Sequence, residues 1–182
     1  TGTERRGRLP GMVMISDRPA EVEDRAVPGH WEGDLILGEN SRSAVGTLVE
    51  RHTRFTLLLH LPEGKSAPQV EQAMREAITS LPTRLAQTIT WDQGAEMAQH
   101  VEFTTATGIP IYFCDPRSPW QRGSNENTNG LLRQYLPKGT DLSRHSRTEL
   151  EAIQASLNSR PRKTLGYRTP GEKLTELLAL TP

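Results

Sequence analysis

Three carboxylates stand where core packing gives no reason for them. Asp34 interrupts the apolar run Trp31-Glu32-Gly33-Asp34-Leu35-Ile36-Leu37, Asp92 closes Leu85–Trp91 and opens a strand-to-helix connection, and Glu126 sits in Gly123-Ser124-Asn125-Glu126-Asn127, at or near a helix start. Such a trio suits phosphodiester chemistry, in which two divalent cations about 3.5–4 Å apart activate an attacking oxygen and stabilise a leaving one. Mg²⁺ takes hard oxygen ligands and keeps several waters, so a few carboxylates suffice. Gathering like charges is costly without a cation, which makes such a cluster a site candidate. On residue types alone the plainer reading, three surface acids among 22 Asp and Glu, has the stronger claim.

Elements must bring the three together. Trp31–Leu37, Ala44–Glu50 and Phe55–Leu61 read as strands joined by short turns, an antiparallel meander. Ser66 with Gln69 opens a helix whose Val70, Met74, Ala77, Ile78 and Leu81 form one stripe, ended by Pro82. Leu85–Trp91 predicts a fourth strand, 95–106 a short helix ending at Gly108, and Ile109–Phe113 a fifth strand. Helices follow over 121–136, after a Ser146/Glu149 capping box, and from Pro170 through Leu178. This order predicts an α/β fold with a five-stranded mixed sheet and helices on both faces. Asp34 and Asp92 then lie side by side on adjacent central strands, and a helix packed on the sheet brings Glu126 opposite. Residues 1–29 read as a linker or N-terminal arm, within which 12–15 can form a short strand, and 30–182 as the core.

The chain has 182 residues, about one domain, with 22 basic and 22 acidic side chains and a mean hydropathy of −0.59. No run approaches the roughly 20 apolar residues of a membrane span. The single Cys114 allows no internal disulfide, and the start at Thr1 without a secretory segment suggests a piece of a longer cytoplasmic protein. Zero net charge conceals an asymmetry: residues 1–115 hold 11 basic and 16 acidic residues, net −5, while 116–173 hold 11 and 5, net +6. The latter segment suits a polyanion. The five histidines are scattered and, with one Cys, make no zinc spacing.

The motifs carry more than the acids do. His30-Trp31-Glu32-Gly33-Asp34, Trp91-Asp92-Gln93-Gly94-Ala95-Glu96 and Ser118-Pro119-Trp120-Gln121-Arg122-Gly123-Ser124-Asn125-Glu126-Asn127 together resemble the DDE transposase and retroviral integrase catalytic core, with 33 residues between Asp92 and Glu126. Leu157-Asn158-Ser159-Arg160-Pro161-Arg162-Lys163-Thr164-Leu165-Gly166, with Thr169-Pro170 after it, resembles the C-terminal signature of bacterial insertion-sequence transposases, and the wording, including Phe113-Cys114-Asp115-Pro116 and Leu136-Pro137-Lys138-Gly139-Thr140-Asp141-Leu142, is most similar to the insertion sequence 30 family. The resemblance spans roughly residues 18–178. It implies a ribonuclease H-like fold and a Mg²⁺- or Mn²⁺-dependent polynucleotidyl transferase with two ions in the active complex. Asp34, Asp92 and Glu126 match the family's catalytic, metal-holding triad. It further implies DNA as partner, at element ends and target, a homo-oligomer on DNA, and action at the bacterial nucleoid. The readings set against it are a non-catalytic DNA-binding or assembly module, and a ribonuclease H-like nuclease.

Other residues have supporting parts. On a helix over 121–136, Arg122, Glu126, Asn129 and Arg133 share a face, so the two arginines are candidate phosphate contacts or, for Arg122, an ion-pair partner of Glu126. Lys138, Arg160, Arg162 and Lys163 are further candidates for the DNA backbone. Trp120 can stack on a base or anchor its loop. Glu96 can tune a metal site or complement a helix start. His30 shares a strand face with Asp34.

Overall fold

A computed structural model of the chain describes residues 9–116, 118, 121 and 123–180. The apolar runs build β2 (His30–Leu37), β3 (Ala44–Glu50) and β4 (Thr56–Leu59), an antiparallel meander as the sequence predicts. β5 (Thr88–Trp91) and β6 (Ile111–Phe113) add in parallel beside β2. A two-residue strand, β1 (Val13–Met14), pairs in parallel with β6, giving the order β1-β6-β5-β2-β3-β4. The sheet thus has six strands instead of five, the extra one coming from the stretch expected as an arm. Val22 and Arg18 of that stretch are buried as well.

Each face of the sheet is covered. On one, Trp31, Leu48 and Leu59 pack with Val70, Met74 and Ile78 of α1 (Ala67–Ile78) and Phe103 of α2 (His100–Thr107). On the other, Ile36 and Val45 pack with Leu132 of α3 (Gly123–Leu132) and with Leu150 and Leu157 of α4 (Arg147–Asn158). Burial on both sides explains why β3 is buried throughout. A last helix, α5 (Pro170–Ala179), buries Pro170 and Leu174. No helix among the described residues is long and apolar enough to cross a membrane.

Local signals were obeyed unevenly. Ser146 Oγ accepts the Glu149 N–H at 3.1 Å and Thr169 Oγ1 the Glu172 N–H at 3.0 Å, two side-chain N-caps. Ser66, by contrast, makes no capping bond. α2 starts at His100, after a turn of 3-10 helix over Ala95–Met97, and ends at Gly108 in the left-handed conformation. α3 stops at Leu132, short of the expected 136, and Leu136 reaches the second core from beyond it.

Candidate active site

Period two puts His30, Glu32, Asp34 and Ile36 on the face of β2 that α3 covers. α3 docks there through two asparagines one turn apart. Asn125 Nδ2 donates to the Glu32 carbonyl at 3.2 Å and to Thr47 Oγ1 at 3.2 Å, and Asn129 Nδ2 donates to Asp34 Oδ2 at 3.0 Å. Asp34 Oδ1 accepts the Leu35 N–H at 2.8 Å, so the half-buried carboxylate is held in one orientation.

The parallel register of β2 and β5 pairs Glu32 with Thr90. Asp34 follows two residues beyond Glu32 on β2, and Asp92 two residues beyond Thr90, one position past the end of β5. Asp92 stands exposed just past the end of β5, its Oδ1 accepting the Gln93 N–H at 2.7 Å. Glu126 is exposed in the first turn of α3, next to Asn125 and three residues before Asn129, hence on the side of the helix nearest Asn129. The three acids thus stand on or beside neighbouring elements, β2, the end of β5 and α3. They do not close into a ligand set: among the described residues no three His, Cys, Asp or Glu side chains form a group that could hold a metal ion. The donor chemistry nonetheless fits Mg²⁺ or Mn²⁺, being all hard oxygen. Beside Asp34, the buried Asn129 Oδ1 accepts no hydrogen bond, leaving one more oxygen acceptor in place.

Glu32 is the functional residue that sequence reasoning missed. It is 0% exposed, its Oε2 accepts the Asn125 N–H at 2.9 Å, and its Oε1 lies 3.2 Å from Nε of the buried Arg51. Burial pushes its carboxyl above the usual range, against the Asn125 bond and the Arg51 charge, which pull it down. Glu32 thus fastens the first turn of α3, which carries Glu126, to the strand that carries Asp34. Its place two residues before Asp34, on the same strand face, was the available signal.

Two glycines act by close approach. A Cβ on Gly33 would lie 1.9 Å from Cε3 of Trp91, so the indole can cross β2 only there. That ring donates through Nε1 to Glu96 Oε1 at 3.2 Å, and a Cβ on Gly94 would meet the same carboxylate. Glu96 therefore anchors Trp91, the residue before Asp92. His30 is buried, its Nδ1 2.8 Å from Thr88 Oγ1, and burial lowers its imidazole below the ordinary value.

The expected DNA contacts divide. Arg122 and Trp120 lie outside the described residues. Arg133 bonds the carbonyls of Leu136 at 3.3 Å and Leu37 at 3.2 Å, and Arg160 bonds Gln134 Oε1 at 3.1 Å. Arg162 is buried and donates to the Leu157 carbonyl at 3.0 Å, so it ties down the end of α4 instead of facing solvent. Its guanidinium is lowered by that burial. Lys138 and Lys163 are exposed.

Comparison with known proteins gives this arrangement a family. The model of the integrase core domain matches residues 24–119, a span that holds Asp34 and Asp92 and stops short of Glu126. The chain is 57% identical over 178 residues to the transposase for insertion sequence element IS1086 of Cupriavidus metallidurans, covering 98% of this chain and 52% of that protein. It is 50% identical over 167 residues to transposase InsI for insertion sequence element IS30C of Escherichia coli, covering 92% of this chain and 43% of that protein. The chain thus spans about half the length of these curated relatives. The catalytic core domain of BIV integrase superposes with a TM-score of 0.60 at 20% identity, covering 83% of this chain and 96% of that one. A simian T-cell lymphotropic virus intasome chain gives 0.64 at 19% identity, covering 86% and 56%. These two likenesses establish the ribonuclease H-like fold. With the family model matching more than half its length, the chain belongs to the integrase core domain family, as a core of the bacterial DDE transposase kind.

Proposed function

We propose that this chain is the catalytic core of a transposase that cuts DNA at insertion-sequence ends and joins the freed 3′-hydroxyl to target DNA. The observation that carries the reading is the placement of Asp34 on β2 and of Asp92 just past the end of the neighbouring β5, two residues beyond the paired Glu32 and Thr90, with α3 and its Glu126 tied to β2 through Asn125 and Asn129. The relatives named as transposases support it. Asp34, Asp92 and Glu126 would hold Mg²⁺ or Mn²⁺. When bound, two such ions supply activation of the attacking oxygen and charge stabilisation of the leaving one. The protein's own part is placement. Asn129 orients the Asp34 carboxylate, Glu32 and Arg51 fix the start of α3, and Glu96 with Gly33 seats Trp91 so that Asp92 emerges at the C-terminal end of β5. In the cut a water oxygen, and in the joining the freed 3′-hydroxyl oxygen, forms a new bond to phosphorus as the phosphorus bond to the departing 3′ oxygen breaks. The attacking oxygen gives up its proton and the departing 3′ oxygen takes one up. DNA is the proposed partner, with a homo-oligomer bridging two ends, acting in the bacterial cytoplasm at the nucleoid.

The test is Mn²⁺-dependent cleavage and joining on branched DNA by the native chain, Asp92→Asn and Glu126→Gln. Loss in both variants, with native unfolding behaviour retained, supports the reading. Activity surviving in both removes these acids from the mechanism. The alternative of a non-catalytic DNA-binding or assembly module draws on the acids not closing into a ligand set among the described residues. It predicts DNA binding without turnover, even when the chain is tested within its full-length protein.

A further inference from the structure

Four guanidiniums from separate stretches of the chain converge near the start of α3. Two have carboxylate partners. Arg18 Nη2 lies 2.5 Å from Glu23 Oε1, and Arg51 Nε lies 3.2 Å from Glu32 Oε1. The other two have none among the described residues. Arg54 donates to the Ser124 hydroxyl in the first turn of α3, and Nη2 of the exposed Arg25 is 3.5 Å from where a Cβ on Gly123 would stand.

Two open cavities meet on this cluster. One, of about 350 Å³, is lined by Arg25, Arg51, His52, Arg54 and Lys173, and by no carboxylate among the described residues. The other, of about 460 Å³, shares Arg25 and Arg51 and runs on past Arg18 with its partner Glu23 to Asp115 and Gln121, ahead of α3, so among the described residues the cations are uncompensated only on the side of Arg54 and Lys173. Burial, then the like charge of Arg25, lowers the Arg54 guanidinium against the pull of Glu32 and Glu50, and burial with the charges of Arg18 and Arg25 lowers Arg51 against Glu32 and Glu23. Cations crowded in this way repel one another, and a bound anion relieves the repulsion. Guanidinium forks match phosphate oxygens in pairs, and a row of cations along an open cleft suits a chain of phosphates better than a single small anion.

The position adds direction. Arg54 bonds Ser124, two residues before Glu126, and Arg51 pairs with Glu32, two residues before Asp34 on the same strand face. We propose that the cleft of Arg25, Arg54 and Lys173 binds the phosphate backbone of a DNA strand that reaches the three acids past the first turn of α3. The inference rests on the transposase-core reading and adds to it the path of the strand. Two of the three cations lie in the acidic part of the chain, outside the basic segment 116–173 that composition favours.

The experiment is fluorescence-anisotropy titration of a labelled 30-base-pair duplex (about three helical turns at roughly 10.5 base pairs each) against salt. The native chain, Arg25→Gln/Lys173→Gln, and Lys65→Gln/Arg75→Gln are compared. The last pair removes the same charge beside and on α1, across the sheet. Each phosphate contact contributes about 0.9 to the slope of log affinity against log salt, so losing two lowers the slope by about 1.8. Extrapolated from 1 M to 0.15 M salt, that is roughly 30-fold weaker binding. The α1-side pair should bind as the native chain does. Native affinity and slope in Arg25→Gln/Lys173→Gln, or an equal loss in both double variants, would overturn the cleft while leaving the transposase reading intact. Failure of the native chain to bind duplex at low salt would overturn both.

Discussion

Removing the Glu32 carboxylate should loosen the joint between β2 and α3, and the cost can be worked from the geometry. Glu32 is 0% and Arg51 6% exposed, with Oε1 and Nε 3.2 Å apart. At an effective dielectric of about 20, that separation gives an attraction of about 5 kcal/mol before the cost of taking both charges out of water. Most of the attraction is cancelled by desolvation in the intact pair, but deleting one partner leaves the other charge buried alone, at about 3–5 kcal/mol. Glu32→Ala also strips the Asn125 N–H of its acceptor at the start of α3. The expected result is a urea midpoint lowered by that energy at unchanged slope. Arg51→Ala alone should cost a similar amount. Glu32→Ala/Arg51→Ala should then cost less than the two singles summed, with a coupling of about 2 kcal/mol or more. Strand transfer should fall further than stability explains, because Glu126 follows Asn125 directly. A Glu32→Ala variant within about 1 kcal/mol of native, the ordinary size of a single-substitution effect, or strict additivity of the pair, would refute the reasoning.

Three further outcomes are expected. Gly33→Ala should cost about 3 kcal/mol, the upper end of overpacking, because its Cβ would stand 1.9 Å from Cε3 of a fully buried Trp91. At roughly 2–4 °C per kcal/mol for a chain of this size, Tm should fall by about 6–12 °C, and an unchanged Tm would show that the ring has room to move. Asn129→Ala releases the Asp34 carboxylate and should lower Mn²⁺-dependent activity roughly 10–100-fold, as loss of a partner behind a metal ligand does. Partial recovery at raised Mn²⁺ is expected, and full activity at low Mn²⁺ would sink the orienting role. His30, lowered by burial from the ordinary imidazole value of about 6.5, is neutral in the folded chain at a pH where the unfolded chain already takes up a proton. Its contribution is therefore complete above about pH 6.5 and lost as pH falls below that toward the folded value, by at most about 1.4 kcal/mol per pH unit. The part of the acid-side decline owed to His30 should vanish in His30→Gln, and an identical pH profile would refute it.

Apolar runs, helical periodicity and the Pro and Gly signals at their ends were enough to locate the strands from β2 onward and the α-helices of the described residues, because burial against the sheet and backbone termination both leave local marks. Asp34, Asp92 and Glu126 stood out for a related reason: an acid in an apolar run, or at the mouth of a strand, is conspicuous against local packing. Local pattern could not show which charges would end up enclosed. Glu32 looks like any polar strand residue until α3 lies over it. Arg162 looks like a phosphate contact until it folds back on the carbonyl of Leu157. The same holds for Arg25, Arg51, Arg54 and Lys173, spread over nearly 150 positions and for the most part in the half of the chain with net negative charge. Sequence alone determined most of the elements and the family, and it supplied the acids on which the proposed chemistry rests. Burial, ion pairing and a shared cleft are properties of distances between segments, and those exist only once the sheet has set its register and the helices have covered it.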